Sequence, residues 1–221
     1  MIVLVGESAS GKSSVEIYLM NNYGFKKIVS YTTRSPRLGE VDGIDYHFVS
    51  VEEFTKLKEQ GFFAETAVYN NWHYGTAKED CTDDKIAVLT PHGLRQISKI
   101  DGITAISFYI NVPRRDRLIK ILQRGDDIEE AYRRSLSDVG QFDGIEDEVD
   151  YVINNEGYKK SIEEMSREVM KKVEDKVKEC EHEWVVKNFE INNDDMIFHC
   201  ICNKCKSTKV EPMSVLFKAM Q

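Results

Sequence analysis

The first residues that could carry chemistry form a glycine-bounded loop near the amino terminus. Residues 6–13 read Gly-Glu-Ser-Ala-Ser-Gly-Lys-Ser and satisfy the phosphate-binding pattern G-x-x-x-x-G-K-S/T at every position. Glycines at both ends let the backbone curl, so that successive N–H groups point at an anion. The pattern predicts that Lys12 contacts the β- and γ-phosphates of a nucleoside triphosphate and that the Ser13 hydroxyl binds Mg²⁺. The predicted donor-site residues are Gly6, Ser8, Ser10, Gly11, Lys12, Ser13 and Ser14.

A second set of cations follows in a polar segment rich in glycine and arginine. Arg34 and Arg37 lie three residues apart around Pro36, and Tyr46 comes after them. The planar guanidinium presents a fork of N–H donors that suits phosphate oxygens. Two arginines and a tyrosine hydroxyl could therefore hold a phosphomonoester dianion. An isolated R-x-x-R would more often be a solvated charged loop, so this interpretation needs the surrounding sequence.

The third candidate site lies near the carboxyl terminus. Cys180 and His182 precede Cys202 and Cys205 by about twenty residues, a C-x-H…C-x-x-C arrangement. Three thiolates and one imidazole suit tetrahedral Zn²⁺, and a hairpin between the two pairs would bring them together. So small a ribbon has too little core to fold alone, and bound zinc would stabilise it.

Alternatives to this zinc site remain within the same segment. His199 and Cys200 are close enough in sequence to replace one of the predicted ligands, and reduced cysteines in an ordinary tail are the competing interpretation. The charges of residues 180–221 nearly balance, which argues against nucleic acid as the partner of this segment. A packing or partner-binding role is equally compatible with the composition, and the partner stays open.

The bulk composition places these sites in an ordinary globular protein. The chain has 221 residues, 31% of them charged, and a formal net charge of −8, which disfavours general binding to nucleic acid or acidic membranes. No apolar run approaches the length of a membrane span, and residues 1–6 are too short for a signal peptide. We therefore expect a cytoplasmic protein, in which clustered cysteines indicate metal more readily than disulfides.

The elements that must position these residues alternate between strands and helices. Strands are predicted at 1–5, 46–49, 62–68, 86–90, 103–110 and 151–153, and helices at 12–22, 51–60, 114–123, 128–139 and 158–178. The alternation predicts an α/β fold with a parallel sheet wound by crossovers. Alternating segments at 183–191 and 196–201 predict a small β ribbon. We place a domain boundary near residue 179, giving domains 1–178 and 179–221.

The stretch Ser30-Tyr-Thr-Thr-Arg-Ser-Pro-Arg-Leu-Gly-Glu40, followed by Asp42-Gly-Ile-Asp-Tyr-His-Phe48, closely resembles the signature of guanylate kinases. The likeness continues through Phe62–Glu65, Tyr74–Thr76, Arg124–Asp126 and Val152–Asn154, and it covers about residues 1–175. The resemblance implies a P-loop kinase that phosphorylates GMP or dGMP with ATP. It implies a parallel core, an acceptor-binding insert at about 32–80 and a helical lid at about 114–142.

The same resemblance implies roles for individual residues. The phosphate of GMP is assigned to Arg34, Arg37, Tyr46 and Tyr74, its guanine to Ser30, Glu65 and Thr76, and the neighbourhood of adenine to Asn154. A carboxylate at Glu65 can accept from both N1–H and N2–H₂ of guanine, whereas adenine has no N1–H. In the lid, Arg124, Arg133 and Arg134 are expected to place positive charge on the transferring phosphoryl group.

One position departs from the family pattern. Guanylate kinases usually carry an acidic residue in a D-x-x-G segment, and here that segment reads Thr90-Pro-His-Gly93. This departure removes one possible contact to guanine or to the Mg²⁺ shell. It leaves open a phage-type deoxynucleoside-monophosphate kinase with a different base choice. A non-enzymatic interaction module of the same fold is a further alternative, although such modules typically lose the phosphate loop.

Overall fold

The computed structural model describes residues 1–37, 39–69, 71–125, 128–178, 184–192, 195–202 and 208–212. The chain divides into two compact units, Met1–Val169 and Met170–Gln221. None of the helices within these described ranges is both long enough and apolar enough to cross a membrane.

The helices and strands follow one another with short connections. In chain order they are β1 (Ile2–Val5), α1 (Lys12–Tyr23), β2 (Lys26–Lys27), β3 (Tyr31–Thr32), β4 (His47–Phe48), α2 (Val51–Glu59), β5 (Phe63–Tyr69), β6 (Trp72–Ala77), β7 (Lys85–Val88), α3 (Pro91–Ile97), β8 (Ile106–Asn111), α4 (Arg114–Arg124), α5 (Ile128–Ser137), β9 (Tyr151–Asn154), α6 (Ile162–Lys178), β10 (Trp184–Asn192), β11 (Asp195–Cys202) and β12 (Thr208–Pro212). Short 3₁₀ turns lie at Lys78–Asp80, Ile145–Asp147 and Glu156–Tyr158.

A five-stranded sheet forms the centre of the first unit. Its strand order is β2-β7-β1-β8-β9, and every neighbouring pair is parallel. The prediction of a parallel sheet is therefore confirmed. Central β1 is buried along its whole length because both faces of the sheet are covered. Val3 and Val5 pack on one face against Leu94, Ile97 and Ile145.

A second, mixed sheet carries the residues expected to bind the acceptor. Its order is β4-β3-β6-β5; β3 pairs with β4 in parallel and with β6 antiparallel, and β5 pairs with β6 antiparallel. We call it the acceptor sheet. The sequence pattern predicted β5 and β4 but not β3 or β6. A β-bulge interrupts the pairing of β5 between Phe63 and Glu65.

Two predicted elements begin later than expected. A strand was predicted from Ile103, but β8 begins at Ile106, where the first register pair with Ile2 of β1 forms. Residues before it lie beyond the end of β1, so no neighbour strand is there to pair with them. A helix was predicted from Tyr158, but α6 begins at Ile162. Gly157 and Tyr158 have φ values of 64° and 53°, in the left-handed region that a helix excludes.

The described strands of the second unit form a three-stranded antiparallel sheet in the order β10-β11-β12. Trp184, the first residue of β10, pairs with Cys202, the last residue of β11. Cys200 and Cys202 are buried and are not in a disulfide. Three of the predicted zinc ligands, Cys180, His182 and Cys205, lie outside the described residues.

Candidate active site

The phosphate loop, residues 6–13, curls between β1 and α1 as its glycines predict. Gly6 and Gly11 have φ values of 154° and 101°. A Cβ atom at Gly6 would lie 2.8 Å from the carbonyl oxygen of Ile110 and 2.8 Å from Oγ of Ser10, so only glycine fits there. Ser10 is fully buried inside the loop, whereas Ser13 and Ser14 are exposed at the first turn of α1.

Lys12 folds back into this loop. Its Nζ donates hydrogen bonds to the carbonyl oxygens of Gly6, at 2.5 Å, and Glu7, at 2.8 Å. Burial lowers the pKa of Lys12 to about 8, and the nearby carboxylates of Asp138 and Glu7 only partly oppose that effect. The ammonium group therefore lies where an anion in the loop would meet it, in surroundings that hydrate it poorly.

A buried arginine that the sequence analysis did not single out supports the phosphate loop. Arg117 of α4 is 6% exposed. Its Nη2 donates to Oε1 of Glu7 at 2.9 Å, and its Nε donates to the carbonyl oxygen of Val112 at 2.9 Å. The hydroxyl of Tyr109 donates to the other oxygen of Glu7 at 3.0 Å. The second loop residue is therefore held from both β8 and α4.

Asp138, directly after α5, completes this support. Its Oδ2 accepts the backbone N–H of Ser8 at 2.8 Å and lies 3.7 Å from Nη1 of Arg117. A carboxylate of the segment predicted to be the lid thus binds a phosphate-loop amide. We call Glu7, Tyr109, Arg117 and Asp138 the loop-support cluster. The only local signal for it was a charged residue inside the loop, because Tyr109, Arg117 and Asp138 follow the loop by about a hundred or more positions.

A cavity of about 610 Å³ opens on the phosphate loop. The predicted donor-site and lid residues that line it are Ser8, Gly11, Lys12, Ser13, Ser14, Arg124 and Arg134. Five further residues with polar side chains line it without having been predicted: Lys120, Asn155, Tyr158, Lys160 and Ser161. We call this the donor cavity. Arg133 is half-buried on α5 and is not among the lining residues.

The far wall of the donor cavity is a structured turn. Asn155 is 2% exposed, and its side chain exchanges two hydrogen bonds with the backbone of Lys160, at 2.8 and 3.1 Å. The Tyr158 hydroxyl donates to the carbonyl oxygen of Ala9 in the phosphate loop at 2.8 Å. Asn154, the residue expected near adenine, is exposed and accepts a hydrogen bond from Asn111 at 3.0 Å. The neighbouring Asn155 is the asparagine that lines the cavity.

On the acceptor sheet, Arg34 is 6% exposed and already paired. Its Nη2 donates to Oε1 of Glu40 at 2.8 Å, and its guanidinium lies 5.5 Å from the ring centre of Tyr46. The hydrogen bond to Glu40 raises the pKa of the Arg34 guanidinium above its ordinary value. Glu40 also accepts the backbone N–H of the exposed Arg37 at 2.7 Å. The rings of Tyr46 and Tyr74 meet edge to face at 6.0 Å.

The residues expected to read the base meet where β5 and β6 pair. Glu65 and Thr76 are cross-strand partners, and Oγ1 of Thr76 donates to Oε1 of Glu65 at 2.7 Å. Glu65 is 6% exposed and Thr76 is fully buried. Burial raises the pKa of Glu65 above its ordinary value. Ser30 immediately precedes β3, whose register with β6 leads toward Thr76.

Thr90, at the position that departs from the family pattern, has a structural function. Its side-chain Oγ1 accepts the backbone N–H of Gly93 at 3.2 Å and caps α3. Pro91 follows at the first helical position, where a missing N–H costs nothing. The short helix that results covers Glu65: a Cβ atom at Gly93 would lie 3.1 Å from Oε2 of the carboxylate.

Among the described residues, no group of three or more His, Cys, Asp or Glu side chains is arranged to hold a metal ion.

Known proteins are similar to this chain over most of its length. The family model described as "Guanylate kinase" matches residues 1–172. A guanylate kinase of Nitratidesulfovibrio vulgaris is 38% identical over 148 residues, 64% of this chain and 72% of that protein. A guanylate kinase of Helicobacter pylori is 34% identical over 171 residues, 74% of this chain and 82% of that protein.

A crystal structure of guanylate kinase from Anaplasma phagocytophilum has the same fold, with a TM-score of 0.54 and 24% sequence identity. The likeness extends over 80% of this chain and 85% of that one. At this identity it bears on the fold alone, namely the parallel core sheet with a second mixed sheet.

Proposed function

This chain belongs to the guanylate kinase family. We propose that it transfers the γ-phosphoryl group of ATP, bound in the donor cavity, to GMP or dGMP bound next to the acceptor sheet. The observation that carries this proposal is the buried pair of Glu65 and Thr76 on the acceptor sheet. A carboxylate with two acceptor oxygens matches N1–H and N2–H₂ of guanine. Adenine would leave that carboxylate without donors, and an unpaired buried carboxylate is costly.

The acceptor phosphate binds next to the aromatic rings of the acceptor sheet. Arg34 and Arg37 neutralise the dianion, and the hydroxyls of Tyr46 and Tyr74 donate to its oxygens. In the structure Glu40 holds Arg34 from one side of its guanidinium fork. This bond restrains the Arg34 side chain before the phosphate binds, so binding costs less conformational entropy. Ser30 adds a polar contact to the base.

The donor triphosphate binds in the donor cavity. Lys12 leaves the carbonyl oxygens of Gly6 and Glu7 and donates instead to the β- and γ-phosphates, where the ammonium form is favoured. The loop-support cluster holds the loop while Lys12 moves. Arg124 and one or both of Arg133 and Arg134 bring positive charge to the transferring group, which needs alignment and electrostatic stabilisation more than covalent help.

Ser13 is the residue that would hold Mg²⁺, through its hydroxyl. It is a hard oxygen donor on the wall of the donor cavity beside Lys12, which fits the ligand preference of this ion. When bound, Mg²⁺ neutralises charge on the triphosphate. The remaining ligands would be phosphate oxygens and water, because Thr90 supplies no carboxylate.

A nucleotide panel tests the proposed function. ADP release is measured with ATP, Mg²⁺ and GMP, dGMP, IMP or AMP as acceptor. We expect turnover with GMP or dGMP and little with AMP. Glu65→Gln should lower kcat/KM for GMP by about 100-fold, because an amide presents a donor where guanine also presents donors. The exposed Glu59→Gln, on α2, is the matched control and should behave as wild type. Equal turnover of AMP and GMP would contradict the proposal.

We further propose that Cys180, His182, Cys202 and Cys205 bind a structural Zn²⁺ ion in the second unit. The sequence spacing supports this, and so does the register of the hairpin: Trp184 opposes Cys202, so the chain enters β10 at the end where it leaves β11. Buried Cys202 is one of the four. His199 and Cys200 stay the alternative ligands.

Metal analysis of the purified full chain tests the zinc proposal. We expect about one Zn²⁺ per chain, reduced by Cys202→Ser and Cys205→Ser. Cys81→Ser, in the first unit, is the matched control and should retain the metal. A stoichiometry near zero in the wild type would overturn the proposal. If Cys200→Ser lost zinc and the other variants kept it, Cys200 would replace one of the four proposed ligands.

A further inference from the structure

The outer edge of the acceptor sheet is closed at one residue by a side chain. Strand β5 is the last strand of the sheet, so half of its backbone groups have no strand to pair with. At Thr66 the side chain of Gln96 takes that place. Oε1 of Gln96 accepts the N–H of Thr66 at 3.1 Å, and its Nε2 donates to the carbonyl oxygen of Thr66 at 2.9 Å. The amide thus imitates one residue of a neighbouring strand.

The helix that carries Gln96 also covers the carboxylate of Glu65. Gly93 lies one turn before Gln96 on α3, so both residues face the same strand. At Gly93 the helix comes so close that a Cβ atom would lie 3.1 Å from Oε2 of Glu65. At Gln96 it grips the backbone of the next residue along β5. Two adjacent points of contact therefore fix α3 on the segment Glu65–Thr66.

The backbone of β5 is irregular directly before Thr66. The β-bulge of β5 lies between Phe63 and Glu65, where the regular ladder with β6 is interrupted. Glu65 itself is held by one side-chain hydrogen bond, from Thr76 to Oε1. A buried carboxylate next to a bulge can turn its second oxygen by small backbone rotations. Pairing both backbone groups of Thr66 with one planar amide removes that freedom.

We infer that Gln96 is a positioning residue for base recognition, which acts by holding the Glu65 carboxylate in the orientation that accepts both donors of guanine. The inference rests on the proposed function, because it assumes that Glu65 reads the base. It makes α3 part of the site that determines base specificity, although the two hydrogen bonds of the Gln96 amide go to the backbone of Thr66. The bonds that matter are the two that join the Gln96 amide to Thr66.

The neighbouring residue on the same helix provides a matched control. Arg95 is exposed on α3, and its Nε and Nη2 donate to the two oxygens of Glu148, each at 2.6 Å. Its bonds anchor the opposite side of α3 and do not involve β5. Arg95→Gln therefore removes a bidentate contact of the same helix without changing the hold on Thr66.

The test compares Gln96→Leu, Gln96→Glu and Arg95→Gln with the wild-type full chain. For Gln96→Leu we expect KM for GMP to rise about tenfold, the scale of one or two lost hydrogen bonds, with kcat and KM for ATP within about twofold of wild type. The preference for GMP over IMP, measured as a ratio of kcat/KM values, should shrink severalfold, because IMP lacks the 2-amino group and uses only part of the oriented carboxylate. Arg95→Gln should keep both KM for GMP and that ratio.

Gln96→Glu keeps an acceptor for the Thr66 N–H but sets a carboxylate oxygen against the Thr66 carbonyl oxygen, so KM for GMP should rise at least as much as in Gln96→Leu. It also serves as the test if Gln96→Leu does not fold. A purely structural role would lower the active fraction, and with it kcat, while KM for GMP and the GMP-to-IMP ratio stay unchanged. That pattern would overturn the inference. Absence of GMP turnover in the wild type would overturn the proposed function instead.

Discussion

The donor and acceptor halves of the active site hold their cations by contacts of very different range along the chain. Around the phosphate loop, Arg117 reaches Glu7 across 110 positions, Asp138 reaches Ser8 across 130 and Tyr158 reaches Ala9 across 149. On the acceptor sheet, Arg34 meets Glu40 across six positions and Thr76 meets Glu65 across eleven. These two pairs of the acceptor half join residues close in sequence, whereas the support of the phosphate loop forms only after Arg117, Asp138 and the turn that follows β9 have packed against it.

This difference has a consequence for the two halves under mutation. A long-range, buried cluster contributes to global stability, because its members have no partners in the unfolded chain. Arg34, Glu65 and Thr76 are buried as well, but their pairs join residues that stay close to one another in the unfolded chain. Removing the cation of the loop-support cluster should therefore cost folding as well as activity, and removing Arg34 should cost chiefly KM for GMP.

The largest expected effect comes from Lys12, which lies in the donor half. Lys12 is proposed to bind the phosphates of ATP and is not a member of the loop-support cluster. Lys12→Ala should lower kcat by about 10³-fold, since it removes a preorganised cation from the transferring phosphates. Its melting temperature should stay close to wild type or rise, because a poorly hydrated ammonium is removed. ADP release and thermal unfolding measure the two quantities. Exposed Lys99→Ala is the control, and an active Lys12→Ala enzyme would contradict the kinase mechanism.

The second effect directly compares the two halves. Arg117→Met leaves two half-buried carboxylates, Glu7 and Asp138, without their cation and should lower the free energy of unfolding by up to about 3 kcal/mol. Arg34→Met leaves a single half-buried carboxylate, Glu40, so its loss of stability should be smaller, while KM for GMP should rise at least tenfold. Chemical denaturation and acceptor kinetics check both variants. Equal stability losses in the two variants would contradict the distinction between long-range and local support.

The smallest effect is a difference in pH dependence: ATP affinity should fall at high pH and GMP affinity at low pH. Lys12 has a pKa of about 8 in the free protein, so its ammonium is lost as the pH rises through 8, and ATP affinity should fall above that value. Glu65 must be ionised to accept from guanine. Since burial raises its pKa above the ordinary 4.5, GMP affinity should fall as the pH drops, beginning above the range of an ordinary carboxyl.

Calorimetric titration of each nucleotide between pH 4 and pH 9.5 measures both limbs. Beyond the pKa concerned, the affinity should change by about tenfold per pH unit. Lys12→Arg keeps its charge and should show ATP affinity that is independent of pH above 8. Glu65→Gln should lose the acid limb for GMP. An ATP affinity of wild type that is flat through pH 9.5 would show that Lys12 stays protonated in the free enzyme.

The local features were the ones that sequence reasoning predicted. Gly6, Gly11 and Lys12 follow one another in a pattern whose backbone geometry is dictated by the glycines themselves, and the loop forms as expected. Contacts of three to eleven positions leave a recognisable spacing in the sequence.

The missed elements are those whose length or start depends on neighbours. Helix α3 spans only seven residues and contains Gly93, so it shows too little periodicity to predict, and packing on β5 stabilises it. Strands β2 and β3 have two residues each and form because a partner strand lies beside them. Asn154 and Asn155 are indistinguishable by composition. Which of them lines the donor cavity depends on where β9 ends and the turn begins.

The sequence by itself therefore determined the phosphate loop, the residue types of the acceptor sheet and the alternation that yields a parallel core. The loop and the alternation follow from backbone preferences and from spacing within a few residues, whereas the acceptor residues were assigned through the resemblance of residues 30–48, 62–65 and 74–76 to guanylate kinases. Only the tertiary structure decided that Arg117 and Asp138 support the phosphate loop and that Gln96 and Gly93 of α3 hold Glu65. These contacts join segments whose separation along the chain carries no local signal, and burial in the folded core is what makes their charges and hydrogen bonds matter.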